Sequence, residues 1–231
     1  MKKRVVVFLD WQNVYMRARE SFHSRDSPVA DGQVDPVDLG HVLMRDHARR
    51  HPEDEFDLTE IRIYRGRPTQ QHDPKGYAAF RRQEAAWRSN SKIRCTFTDL
   101  RYPQDWGEES CTDKPREKGI DVSLAVDLVT MCMEDRYDVA IVMSADYDLK
   151  PAISFVGRRT VSRGAPEVEV AAWKGDRGSK PLRIRLDGQP LYCIWLDRQS
   201  YWGVTDDRDY NRPADAPSKR GPRPGPYVPR L

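Results

Sequence analysis

No stretch of this 231-residue chain approaches the ~18 to 20 consecutive apolar residues of a membrane-spanning helix, so no membrane partner is expected. Cysteine is scarce: Cys95, Cys111, Cys132 and Cys193 form no Cys-x-x-Cys pair, which argues against a zinc knuckle or a disulfide framework and for free thiols in a reducing compartment. The five histidines fall in the first third of the chain with no spacing that recurs with cysteine or acid partners, and no metal is assigned to them. The basic start Met1-Lys2-Lys3-Arg4 resembles a secretory leader, but only Val5 to Leu9 precede Asp10, short of the ~7 to 15 apolar residues such a leader needs. A cytoplasmic protein is the expectation.

What is present is charge and alternation. Residues 211–231 carry five basic residues against Asp215, so the other 210 residues sum to about −1 and the basic excess of the chain lies in its tail. Six prolines in that same tail predict disorder. The domain is expected over residues 1–210, with a core at about 4–175 and an extension at 176–210. Arg4 to Leu9, Leu58 to Tyr64, Ile93 to Phe97, Asp138 to Met143 and Val168 to Trp173 read as strands, and Leu191 to Leu196 as a further short one. Helices are expected between them: one with Trp11, Val14, Tyr15, Ala18 and Phe22 on one face, one opened by Asp35-Pro36, one over Asp73 to Ser89, one over Gly119 to Glu134, and one from Pro151. Residues 24–35 read as a loop, as does Leu100 to Glu117, which holds two prolines and a glycine. This alternation predicts an α/β fold, a doubly wound and mainly parallel sheet of five or six strands with helices on both faces.

The chemistry gathers where strands end. Asp10 closes the first strand, while Ser144, Asp146 and Asp148 follow the fourth at every second position. With the strand order 3-2-1-4-5, strands one and four are neighbours ~5 Å apart at the switch point, where open α/β sheets bind ligands. The helix from Gly119 brings Asp121, in its first turn, to the same edge. Asp127 lies ~9 Å further down that helix and turned away, which assigns it to solvent or a basic partner. Clustered carboxylates raise one another's pKa unless a cation sits among them. Oxygen donors without cysteine or histidine select a hard ion, Mg²⁺ or Mn²⁺, suited to activating water against a phosphodiester. Asn13 and Ser144 fit either a role in orienting a ligand or a plain capping role.

Together the segments DWQN, KGIDVSLAVDL and SADYDL resemble the three motifs of the NYN domain, in its LabA-like branch of the PIN-like nucleases, over roughly residues 4 to 175. The resemblance implies a metal-dependent nuclease acting mainly on RNA, with Asp10, Asp121, Asp146 and Asp148 as its acidic positions and Asn13 as their polar companion. Two departures stand out: Ala145, where the family usually has glycine, and Leu149, where it commonly has phenylalanine.

Arg65 and Arg67, leaving the second strand, and Lys118, just before Asp121, are positioned either to hold backbone phosphates or to form a solvated surface. Trp11, Tyr147 and Trp106 offer rings for unpaired bases, although Trp11 also fits the apolar face of its helix. The expected activity is an endoribonuclease acting on single-stranded or structured RNA. The rival is a catalytically weak RNA- or protein-binding regulator of the same fold, and a homodimer or protein partner is compatible with either.

Overall fold

A computed structural model describes the chain except for residues 25, 164–166, 176–182, 187 and 213–231 and the side chains of residues 29 and 160–163. Almost all of the expected tail therefore lies outside the described residues. Five strands, β1 (Lys3–Asp10), β2 (Phe56–Arg67), β3 (Ile93–Asp99), β4 (Val139–Met143) and β5 (Glu167–Trp173), join a sixth further along the chain. After a two-stranded hairpin, β6 (Arg185–Leu186) and β7 (Gln189–Pro190), strand β8 (Cys193–Leu196) pairs with β5, giving the order β3-β2-β1-β4-β5-β8. Every pairing in this sheet is parallel.

A parallel sheet must be covered on both faces, and the alternation along β1 shows how. Val5, Val7 and Leu9 pack on one side with α1 (Trp11–Phe22), α2 (Pro36–Arg50) and Trp87 of α3 (Pro74–Arg88). Val6 and Phe8 pack on the other with α4 (Ile120–Met133) and α5 (Lys150–Arg163). In β2 the apolar residues Leu58, Ile61 and Ile63 break the period of two. A bulge repairs this: the register steps from Val5↔Leu58 to Val6↔Glu60, and all three face the same core.

Two features depart from the sequence reading. Strand β2 runs on through Arg65 to Arg67, so those arginines end the strand instead of leaving it. A further helix, α6 (Arg198–Val204), follows β8, with Tyr201 and Val204 fully buried in the first core. Residues 24–35 are likewise tied into the domain: they hold a short 3₁₀ turn at Val29–Gly32, and Val34 bridges Thr205.

Candidate functional site

Asp10 ends β1 and caps α1 at once, accepting the Asn13 backbone N–H at 3.3 Å. Its second oxygen, Oδ2, accepts from Asn13 Nδ2 at 2.5 Å and from Ser144 Oγ at 2.7 Å. Ser144 Oγ in turn accepts the Asp146 N–H at 3.0 Å, and Asp146 accepts the Asp148 N–H at 2.9 Å. The chain thus runs from β1 to β4 and into the turn that opens α5, because parallel pairing sets Leu9 beside Met143 and leaves the next residues of both strands at one edge. Asp10 is almost wholly buried. Burial pushes its carboxyl pKa up and the charge of Asp146 adds to this, against the hydrogen bonds from Ser144 and Asn13.

Asp121, in the first turn of α4, faces the same edge. Burial first, then the charges of Asp10, Asp146 and Asp148, push its pKa up to about 6. A fifth carboxylate, Glu117, joins them, and the sequence reading left it in a loop. It accepts the Gly66 N–H at 2.6 Å. Burial and the neighbouring Asp10 and Asp121 push it to about 7, while the Gly66 bond and Arg65 pull the other way. Two glycines make this possible. A Cβ on Gly66 would stand 2.6 Å from Glu117 Cγ and 2.4 Å from Leu100 Cδ2, and Gly119, at φ +81°, supplies the left-handed turn between Glu117 and α4. An acid two residues before a glycine at a helix start, four before Asp121, was the available signal.

The model of the NYN domain matches residues 4–167, more than half of the chain. The chain belongs to the NYN domain family. It is therefore a PIN-like nuclease by family, and the α/β architecture agrees. Among solved structures, a protein of unknown function from Vibrio parahaemolyticus is similar, at 17% identity and a TM-score of 0.46, over 85% of this chain and 94% of that one. No curated protein matches the chain.

The basic residues of this NYN domain are not where an open phosphate surface would want them. Arg65 turns inward: its guanidinium bonds Gln83 and lies 5.5 to 6.0 Å from the ring centres of Phe80, Trp87 and Tyr15. Burial lowers its pKa. Arg65 therefore differs from the phosphate-holding or solvated position that its charge suggested, because the pleat that directs Ile61 and Ile63 into the core directs Arg65 the same way. Arg67 is held by Asp99 at 2.7 Å. Lys118 is exposed and has no ion pair among the described residues. Trp11 is core, and Trp106 donates to the His72 carbonyl at 3.1 Å and packs on Tyr102, whereas Tyr147 is exposed. Asp127 accepts from Arg62 and Tyr64, both at 2.8 Å, away from the other acids.

Nucleases of this family depend on metal ions. The residues at the acidic edge fit a hard cation. Asp10, Asp121, Asp146 and Asp148 form no ion pair with any described lysine or arginine, their side-chain donors to a ligand are all oxygens, and burial together with the neighbouring carboxylates raises the pKa of Asp10 and Asp121. No three of these carboxylates bring oxygens within 4.8 Å of one another; among the described residues, that spacing is met by His47, His51 and Glu167, at the opposite edge of the sheet. The sequence reading assigned no metal to the histidines for want of a recurring spacing, and this grouping comes from the fold instead. The i, i+4 pair at the end of α2 was visible in the sequence, but Glu167, 116 residues beyond His51, was not visible as its neighbour.

Proposed function

We propose that this NYN protein, of the LabA-like branch, is a Mg²⁺- or Mn²⁺-dependent endoribonuclease whose reaction takes place at the edge formed by Asp10, Asp121, Asp146 and Asp148. The observation that supports this best is the set of carboxylates held together without a pairing cation, with Asp121 at about 6 and Glu117 at about 7. A binding module gains nothing from mutually repelling acids. An ion bound there would lower the pKa of an attacking water and neutralise charge on the phosphate.

The protein's own residues supply the rest. Asn13 and Ser144 fix Asp10 so that one oxygen is committed to them and its orientation is set before substrate arrives. Asp146 is held by its turn, and Asp148 and Tyr147 stand exposed at the entrance, where Tyr147 offers a face for an unpaired base. Glu117, with a pKa near neutrality, can take a proton from a water close to Asp121 or return one to a leaving oxygen. Phosphate contacts fall to Lys118 and Lys114, with Arg67 available only by exchange from Asp99. The four free cysteines suit a cytoplasmic setting.

The test is cleavage of single-stranded RNA, structured RNA and DNA by the full chain, with EDTA and with Mg²⁺ or Mn²⁺ restored. RNA is expected to be cut internally, EDTA to stop it, and Asp146→Asn to abolish cleavage while leaving folding and most RNA affinity. Tight binding with no cleavage under any divalent ion would replace this reading by the regulatory one.

A further inference from the structure

The amino-terminal edge of the sheet carries the other grouping of metal-binding side chains. His47 in the last turn of α2 and His51, the residue that caps its end, lie four residues apart with their ring centres 4.5 Å apart. On the face of β5 turned to α2, Glu167 and Glu169 alternate with the core residues Val168 and Val170. Donor atoms of His47, His51 and Glu167 all lie within 4.8 Å of one another.

We propose that His47, His51 and Glu167 form a second cation site, selective for a zinc-class ion and separate from the acidic edge. The strongest independent support is His47 itself. It has no solvent exposure, and its Nε2 has no hydrogen-bond partner among the described residues. Its Nδ1 stands 3.1 Å from Glu169 Oε2, and Glu169 is clamped by Arg50 through bonds of 2.7 and 2.8 Å. The carboxylate thereby orients the ring and draws the proton to Nδ1, leaving Nε2 with its lone pair and nothing to receive it. An arginine-clamped carboxylate behind an imidazole is the support that metal-ligating histidines need, and a buried orphan nitrogen is otherwise a cost.

The donor set decides the ion. Two imidazoles and one carboxylate suit Zn²⁺, with a water completing four-coordination, whereas Mg²⁺ prefers oxygen throughout. The two rings are inclined by only 23°, so their in-plane lone pairs run side by side. Binding therefore turns His51, which is half-buried and free to rotate away from Glu53, 3.7 Å from its Nδ1. Glu167 gives up a loose contact with Lys3 at 3.8 Å. Because Glu167 is level with Val139 and Val5, the site lies about 17 Å along the strands from Asp10, at 3.3 Å per residue. A bound ion there ties the last turn of α2 to the first residue of β5. Its effect is on stability, not on the chemistry at the other edge.

The full chain, stripped by chelator and returned to excess Mg²⁺, is titrated calorimetrically with ZnCl₂. One equivalent is expected to bind and to raise the melting temperature. His51→Gln and Glu167→Gln, both at half-buried positions that tolerate the change, are expected to bind at least tenfold more weakly and to lose the thermal shift, whereas Asp146→Asn binds as the wild type does. Co²⁺ is substituted to identify the donors, since thiolate ligation produces a near-ultraviolet charge-transfer band. Equal zinc affinity in wild type, His51→Gln and Glu167→Gln, or a thiolate band, overturns the proposal. No measurement in this set reads RNA cleavage, so its failure is distinct from failure of the nuclease reading.

Discussion

Glu117→Gln is expected to stabilise the metal-free protein at pH 8 and to change it little at pH 4.5. Glutamine keeps an acceptor for the Gly66 N–H and removes the charge. In the folded protein the Glu117 carboxyl is pushed up to about 7 from an ordinary 4.5, chiefly by burial and then by Asp10. A carboxyl whose folded pKa is raised contributes stability that is fully present below its unfolded pKa and is lost as pH rises through the folded value. The loss therefore runs between about pH 4.5 and 8. At ~1.4 kcal/mol per unit the full difference is about 3 kcal/mol, and solvent screening of a half-buried group reduces it to about 1 to 2 kcal/mol. Relief of Asp10 and Asp121, which feel the Glu117 charge or act on it, adds in the same direction. Urea unfolding in EDTA at several pH values measures the difference, as does a melting shift of about 2 to 4 °C per kcal/mol. A difference between variant and wild type that stays constant from pH 4.5 to 8 would refute the claim that Glu117 sits uncompensated among the acids.

Gly66→Ala places a Cβ 2.6 Å from Glu117 Cγ and 2.4 Å from Leu100 Cδ2, so it is expected to expel Glu117, to cost about 1 to 3 kcal/mol, and to flatten the pH dependence just described in the same unfolding experiment. Asp127→Ala leaves Arg62 and the buried Tyr64 hydroxyl without their shared acceptor and is expected to destabilise by about 1 to 3 kcal/mol in urea, with metal-dependent cleavage retained per folded molecule; loss of cleavage at full folding would move Asp127 into the site. Removing residues 213–231 takes away Lys219, Arg220, Arg223 and Arg230 against Asp215. RNA binding is expected to weaken and its log-log salt slope to fall by up to ~0.7 for each lost phosphate contact, at unchanged turnover, and an unaltered slope would show the segment to take no part in binding.

Much of the fold is legible because Val5 to Leu9 of β1 and the whole of β4 are apolar at consecutive positions, which a strand covered on both faces requires, and because Asp10, Asp35 and Asp73 announce the helices they cap. The less legible part has a physical reason in each case. Helix α6 spans only Arg198–Val204, too short to show a periodic stripe, and its place is set by Tyr201 entering a core built mainly by residues far earlier in the chain. The bulge in β2 is a tertiary solution to a pattern that, read locally, shifts phase between Leu58 and Ile61.

The acidic edge divides along the same line. Asp10, Asp146 and Asp148 follow strands directly, and a carboxylate at a strand end is located as soon as the strand order is known. Glu117 cannot be found that way, since its place depends on a long-range contact with the bare backbone of Gly66 and on the left-handed turn at Gly119. Arg65 and Gly66 show why neighbouring residues in one strand fared oppositely. The pleat sends consecutive side chains to opposite faces, so Arg65 goes toward Phe80 and Trp87 while the missing side chain of Gly66 opens room on the α4 face for a carboxylate. A cationic residue at that edge was read as a substrate contact from its charge alone. Its face, set by the parity of β2 after the bulge, determines that the guanidinium is buried and that Glu117 reaches the edge without a hydrogen-bonded arginine to neutralise it.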